Sequence, residues 1–107
     1  MRAEATALLE AFARSDLAVI ERLCADDVLL WGTDEGELWE GKAAVLRSFE
    51  GAFDLGVRWA AEPAVRDGWV AGPVEFEVDG AAVPARVTMV FRDRLLTHAH
   101  YSVAVAP

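Results

Sequence analysis

The sequence predicts one α+β domain, its helices packed on one face of a curved, mostly antiparallel sheet. Three observations predict it. Apolar residues in the first half recur at helical spacing. Those in the second half alternate residue by residue, as strands do. Asp67-Gly68 and Asp79-Gly80 punctuate that second half as tight hairpin turns, in which both central positions want a positive φ. The 107 residues suit a single domain, 1–107, with one core.

The elements follow in chain order. Ala5, Leu8, Leu9 and Phe12 form one apolar stripe and predict a first helix. Ser15 or Asp16 can cap a second, whose inner face carries Leu17, Ile20, Leu23 and Cys24 and which Asp26-Asp27 ends. Val28-Leu29-Leu30-Trp31 reads as a buried strand, and Gly32–Gly36 as a loop by its turn residues. A third helix opens near Gly41 on the stripe Val45, Leu46, Phe49, Ala52 and Phe53, and Gly56 lies just past its end. Four strands then occupy about 57–66, 69–78, 82–92 and 95–105. Gly72-Pro73 predicts a bulge, because proline cannot donate to a ladder, and Pro84 raises the same doubt in the next strand.

Alternation sorts the sheet into two faces. Val74, Phe76, Val78, Val87, Met89, Phe91, Ala99, Tyr101, Val103 and Val105 are expected to meet the helices. Glu75, Glu77, Arg86, Thr88, Arg92, His98, His100 and Ser102 are expected to form the outer face.

Composition excludes several classes. Lys plus Arg number 10 against 18 Asp plus Glu, a net charge of −8, which repels nucleic-acid backbones and anionic lipid surfaces. One cysteine, Cys24, leaves no internal disulfide and no cysteine-based zinc site. No apolar run is long enough to span a membrane. An early acid and no small-residue cleavage site argue against a signal peptide, so a cytoplasmic protein is expected. There is no glycine-rich phosphate loop, no HExxH and no Ser-His-Asp order, and no cofactor is expected.

The stretches Ala25-Asp26-Asp27-Val28-Leu29-Leu30-Trp31-Gly32-Thr33-Asp34 and Gly36-Glu37-Leu38-Trp39-Glu40-Gly41-Lys42-Ala43-Ala44-Val45, with the ending His98-Ala99-His100-Tyr101-Ser102-Val103, resemble the SnoaL-like branch of the NTF2-like superfamily. The resemblance covers nearly the whole chain. It implies a cone in which a curved sheet wraps a helix over a pocket, and a homodimer paired through the outer sheet face. It specifies the fold better than the function, because the fold hosts many activities. In an ungapped comparison with the steroid isomerases of that superfamily, the oxyanion tyrosine falls on Leu8, the base aspartate on Gly32 and the protonated aspartate on Val87. None of the three can move a proton or donate a side-chain hydrogen bond, so that mechanism does not carry over. The family's pocket aromatic falls on Tyr101, which is retained.

The expected function is therefore binding of an apolar, aromatic or polycyclic ligand by Leu8, Phe12, Trp31, Trp39, Val87, Met89, Thr97 and Tyr101. Tyr101 and Thr97 share the inner face of the last strand in this reading. Tyr101 can serve a ligand, or be a core tyrosine whose hydroxyl reaches water or a carbonyl. Of the four indoles, Trp31 and Trp39 flank the Gly32–Gly36 loop and are preferred over Trp59 and Trp69. An alternative is an isomerase or cyclase whose acid or base is Asp34, turned inward from a loop that also holds Glu35 and Glu37, or His98 or His100. The two histidines sit at a spacing that can share a metal with Glu75 or Glu77, but Arg86 on their face competes for those carboxylates, and no metal is expected. A third reading is an assembly module using the outer face, which carries both signs of charge.

Overall fold

The computed structural model describes residues 2–34 and 36–103. Helix α1 (Arg2–Ala13) buries Ala5, Leu8, Ala11 and Phe12, the predicted stripe with Ala11 in place of the half-buried Leu9. Asp16 is the cap that starts α2 (Leu17–Leu23): its carboxylate accepts the Val19 N–H at 3.3 Å. Ser15 instead turns the chain, with φ 55°.

The second helix is shorter than expected. Cys24 is already extended, with φ −80° and ψ 137°, and begins strand β1 (Cys24–Trp31). Asp26-Asp27 are exposed strand residues, so they do not end the helix. Pairing of Cys24 with Leu96 in the last strand outweighs the helical spacing that put Cys24 on the helix. Strand β2 (Leu38–Glu40) was not foreseen, since three residues are too few to display a period; it pairs antiparallel with β1 across the intervening loop. Helix α3 (Lys42–Asp54) starts after Gly41, and Gly56 follows it with φ 71°.

The expected strand at 57–66 is two short ones, β3 (Arg58–Trp59) and β4 (Ala64–Arg66), separated by a bend that includes Pro63. Both pair with β5 (Trp69–Val78). Strands β6 (Ala81–Arg92) and β7 (Leu95–Val103) complete the sheet. The remaining expected positions of the last strand, 104 and 105, lie outside the described residues. The sheet has seven strands in the order β2-β1-β7-β6-β5-β3, with β4 also on β5. All pairs are antiparallel except β1 with β7. Both residues of the Asp79-Gly80 turn take positive φ, whereas at Asp67-Gly68 only the glycine does.

No bulge forms at Gly72-Pro73. The β5–β6 register runs unbroken through Gly72↔Val87, Pro73↔Arg86 and Glu75↔Pro84. The Pro73 carbonyl accepts the Ala60 N–H at 2.9 Å. A strand residue points its N and its carbonyl toward the same neighbour, so the missing proline donor faces the gap between β3 and β4 and costs the β5–β6 ladder nothing.

The bulge lies in β7, where Phe91 pairs with Leu96 and Val90 with His98. Thr97 is the extra residue. It resets the alternation, so that Leu96 and Ala99, three apart, are both buried. Thr97 is thereby removed from the inner row that holds Tyr101. Its hydroxyl donates instead to the Val90 carbonyl at 3.3 Å and accepts from His98 Nδ1 at 3.0 Å.

The core lies between the helices and the concave face of the sheet: Leu8 and Phe12 from α1, Ile20 from α2, Val45 and Phe49 from α3, and Val70, Val74, Met89, Leu96 and Ala99 from the strands. No helix is long and apolar enough to cross a membrane among the described residues.

Candidate functional site: an apolar cavity with one polar end

The concave face is not completely filled by the helices. A cavity of about 470 Å³ remains between α1, α3 and the inner residues of β1, β5, β6 and β7. That volume is within the range of small-ligand sites, roughly 300–1,000 Å³. Its inner wall is apolar and buried: Phe12, Leu30, Phe49, Met89 and Ala99. Leu55, 44% exposed, also lines it, so the cavity reaches the surface on that side. Phe12 packs edge-on against Phe49 with ring centroids 6.2 Å apart, which fixes the wall formed by α1 and α3.

The polar groups gather where β7 runs under the loop between β1 and β2. Tyr101 projects inward beside Val87, its partner in β6. Its ring meets Trp39 at 6.0 Å. Its hydroxyl donates to Oε2 of Glu37. Oε1 of Glu37 accepts the Asp34 N–H at 2.8 Å. The Tyr101 hydroxyl, and then the Asp34 and Thr33 N–H groups, hold the Glu37 carboxyl below its ordinary value of 4.5. Burial, and then the Glu37 carboxylate, push the Tyr101 phenol well above its ordinary value of 10.0. At neutral pH the pair is thus a carboxylate and a neutral phenol. Among the described residues no lysine or arginine lines the cavity.

Gly32 makes this pairing sterically possible. A Cβ there would lie 2.5 Å from Cζ and 2.6 Å from Oη of Tyr101, so the ring lies directly against the Gly32 backbone. The loop is closed by the Gly32 N–H to the Glu37 carbonyl, 2.8 Å, and joined to β7 by the Val103 N–H to the Thr33 hydroxyl, 2.6 Å.

Of the residues expected to bind a ligand, Phe12, Trp39, Val87, Met89 and Tyr101 line this cavity. Leu8, Trp31 and Thr97 do not. Leu8 is completely buried between α1 and the rest of the core. Trp31 follows the inward Leu30 by one residue and so faces outward, 40% exposed. Thr97 is in the bulge. Among the other indoles, Trp59 packs on Phe12 at 5.0 Å and its buried N–H has no partner, while Trp69 is exposed beneath Arg66.

Asp34 is exposed and does not line the cavity; among the described residues the acid that does is Glu37. His98 is on the outer face. His100 borders the cavity wall through its place in β7, but its ring packs with Trp31 at 5.3 Å on the outer face. There Trp31, Thr88, Val90, His98 and His100 surround a shallow hollow. Glu75 is held by Arg58 at 3.1 Å, with Glu77 3.9 Å from the same guanidinium, so it is Arg58 rather than Arg86 that engages these acids. Among the described residues no group of three His, Cys, Asp or Glu is placed to hold a metal.

The sequence matches the SnoaL-like domain model over residues 2–106. The chain belongs to the SnoaL-like family. No curated protein matches it significantly. Solved structures similar to this SnoaL-like domain include a Kribbella flavida protein provisionally named a ketosteroid isomerase (TM-score 0.79, 17% identity, 99% of this chain and 78% of that one). A Sinorhizobium meliloti protein provisionally named a polyketide cyclase gives a TM-score of 0.69 at 18% identity, covering 92% of each chain. An uncharacterised Silicibacter pomeroyi protein with a cystatin-like fold gives 0.82 at 15% identity, covering 98% of this chain and 76% of that one. At such identities the likeness establishes the fold, an NTF2-like α+β cone with an unclosed curved sheet.

Proposed function

We propose that this SnoaL-like domain binds a small apolar molecule in the cavity under its sheet. The cavity itself carries the proposal: about 470 Å³, walled by Phe12, Leu30, Phe49, Met89 and Ala99 and open to the surface beside Leu55, it has the size and apolar lining of a small-ligand site. Binding is favoured over turnover by the state of the acid that lines the wall. A general base works best with a pKa near the working pH, and Glu37 is shifted the other way. The expected alternative bases, Asp34, His98 and His100, turn their side chains to solvent or to the outer face.

The reading takes the protein to be cytoplasmic and a homodimer joined through the outer sheet face. Trp31 and Trp69, together with Leu38 (52% exposed), give that face apolar area, and isologous pairing would cover it.

The test is thermal stability against neutral steroids, polycyclic aromatics and terpenoids, with Val87→Trp as the filled-cavity control. A ligand at 100 times its Kd adds about 2.7 kcal/mol, a rise on the order of 10 °C for a domain this size. The expected result is a rise with the natural sequence and none with Val87→Trp. Equal shifts in both would place binding elsewhere and overturn the proposal.

A further inference from the structure

The hydrogen-bond directions at the polar end of the cavity narrow the ligand class. This inference rests on the proposed binding role of the cavity. An ionised carboxylate only accepts, with about four lone-pair sites. On Glu37, the Tyr101 hydroxyl and the Asp34 N–H occupy two of them, one on each oxygen. The remaining lone pairs are left for a ligand. Tyr101 has spent its only proton on Glu37, so its oxygen too has acceptor capacity alone. The pair can therefore receive a hydrogen bond from a ligand but cannot give one.

Charge points the same way. Among the described residues Glu37 is the one acid on the cavity wall, Asp34 adds a second negative charge near the Tyr101 hydroxyl, and no lysine or arginine lines the wall to offset them; His100 borders it from β7 but packs its ring against Trp31 on the outer face. Apart from His100, whose ring faces outward, the described lining side chains able to donate beside Tyr101 are the Ser48 hydroxyl on α3 and the Trp39 indole N–H, which are neutral and give the weaker kind of bond. This is the reverse of an oxyanion hole, which presents donors to a carbonyl.

We propose that the cavity selects apolar molecules ending in a hydrogen-bond donor, an ammonium above all and then an alcohol or phenol, and discriminates against those ending in a carboxylate or a ketone.

The probes are five naphthalenes of matched size: 2-naphthylmethylamine, 2-naphthylmethanol, 2-acetylnaphthalene, 2-naphthoate and 2-ethylnaphthalene. Their dissociation constants are measured at pH 7 by isothermal titration calorimetry, for the natural sequence and for Glu37→Gln and Tyr101→Phe. The amine is expected to bind at least tenfold more tightly than the carboxylate, with the alcohol ahead of the ketone. Glu37→Gln is expected to reduce the amine–carboxylate ratio to less than threefold while leaving 2-ethylnaphthalene unchanged. The protein's net −8 attracts any cation, but Glu37→Gln removes only one of those charges, so collapse of the ratio assigns the preference to Glu37. Tyr101→Phe is expected to preserve the amine preference, since the carboxylate remains.

Binding of 2-ethylnaphthalene with equal affinity for amine and carboxylate would overturn this inference and leave the binding role intact. An amine preference that survives Glu37→Gln would overturn it as well, by assigning the preference to overall charge. Failure of all five probes would overturn both.

Discussion

Replacing Gly32 by alanine tests how the polar end of the cavity is built. The new Cβ would stand 2.5 Å from Cζ, 2.6 Å from Oη and 2.9 Å from Cε1 of Tyr101, where ordinary contact begins at 3.4 Å. The ring must therefore move by about 0.9 Å. The atoms that clash are at the far end of a side chain, so the backbone can stay and the tyrosine swings away. The cost is then the Tyr101–Glu37 hydrogen bond and part of the stacking on Trp39. A hydrogen bond to a charged group contributes about 1.5–3 kcal/mol, and partial exposure of this one places the expected loss at about 1–2 kcal/mol. For a domain of this length each kcal/mol corresponds to about 4–8 °C, so Tm should fall by roughly 4–16 °C. The assay is a double-mutant cycle by thermal unfolding with Tyr101→Leu, whose shorter side chain does not reach the alanine. The two losses should be strongly non-additive, because each removes the same contact. A Gly32→Ala protein as stable as the natural one, or two losses that simply add, would refute the placement of the ring against Gly32.

Gly72→Ala should cost more than Gly32→Ala, about 2–3 kcal/mol, because its Cβ would meet the Pro63 Cα at 2.9 Å and backbone cannot swing aside; chemical denaturation compares the two directly. Arg94 holds φ 67° in the β6–β7 turn, so Arg94→Gly should raise stability by about 0.5–1 kcal/mol despite losing a weak exposed contact with Glu4. The Glu37 carboxyl is lowered in the folded protein. Its stabilisation is therefore complete above its unfolded value of 4.5 and lost as pH falls through the folded value, so the stability gap between the natural sequence and Tyr101→Phe should be flat from pH 6 to 8 and shrink below pH 4.5. Burial pushes the Cys24 thiol up to about 11, so a thiol reagent at pH 8 should label it only after unfolding. The proposed outer-face dimer predicts that the natural sequence sediments as a dimer at equilibrium and Trp31→Glu, which puts a charge on the exposed indole's position, as a monomer.

Much of this fold was legible because its signals are local and strong. The stripes of α1 and α3, the Asp79-Gly80 turn and the alternation of β5 and β6 each need only a few residues to read. The failures came from long-range pairing. Cys24 continues a helical pattern, yet partnership with Leu96 makes it a strand residue. Gly72-Pro73 has the composition of a bulge, yet the gap between β3 and β4 receives the proline's missing donor. The actual bulge, at Thr97, has no glycine or proline to announce it, and it exchanged one expected lining residue for an outer-face hydrogen bond. The site was half legible for the same reason. Phe12, Val87, Met89 and Tyr101 follow from periodicity, whereas nothing in three neighbouring loop acids distinguishes Glu37. What distinguishes it is Tyr101, 64 residues away, and the empty side of Gly32 that admits the ring.

The most direct test of the central claim is an amide and Met-methyl NMR titration of the natural sequence with 2-naphthylmethanol. The account predicts saturable shifts confined to residues around the cavity, with Met89, Val87, Trp39 and Tyr101 moving together and their loss in Val87→Trp. Shifts confined to Trp31, His98 and His100 on the outer face, or none at saturating ligand, would contradict it.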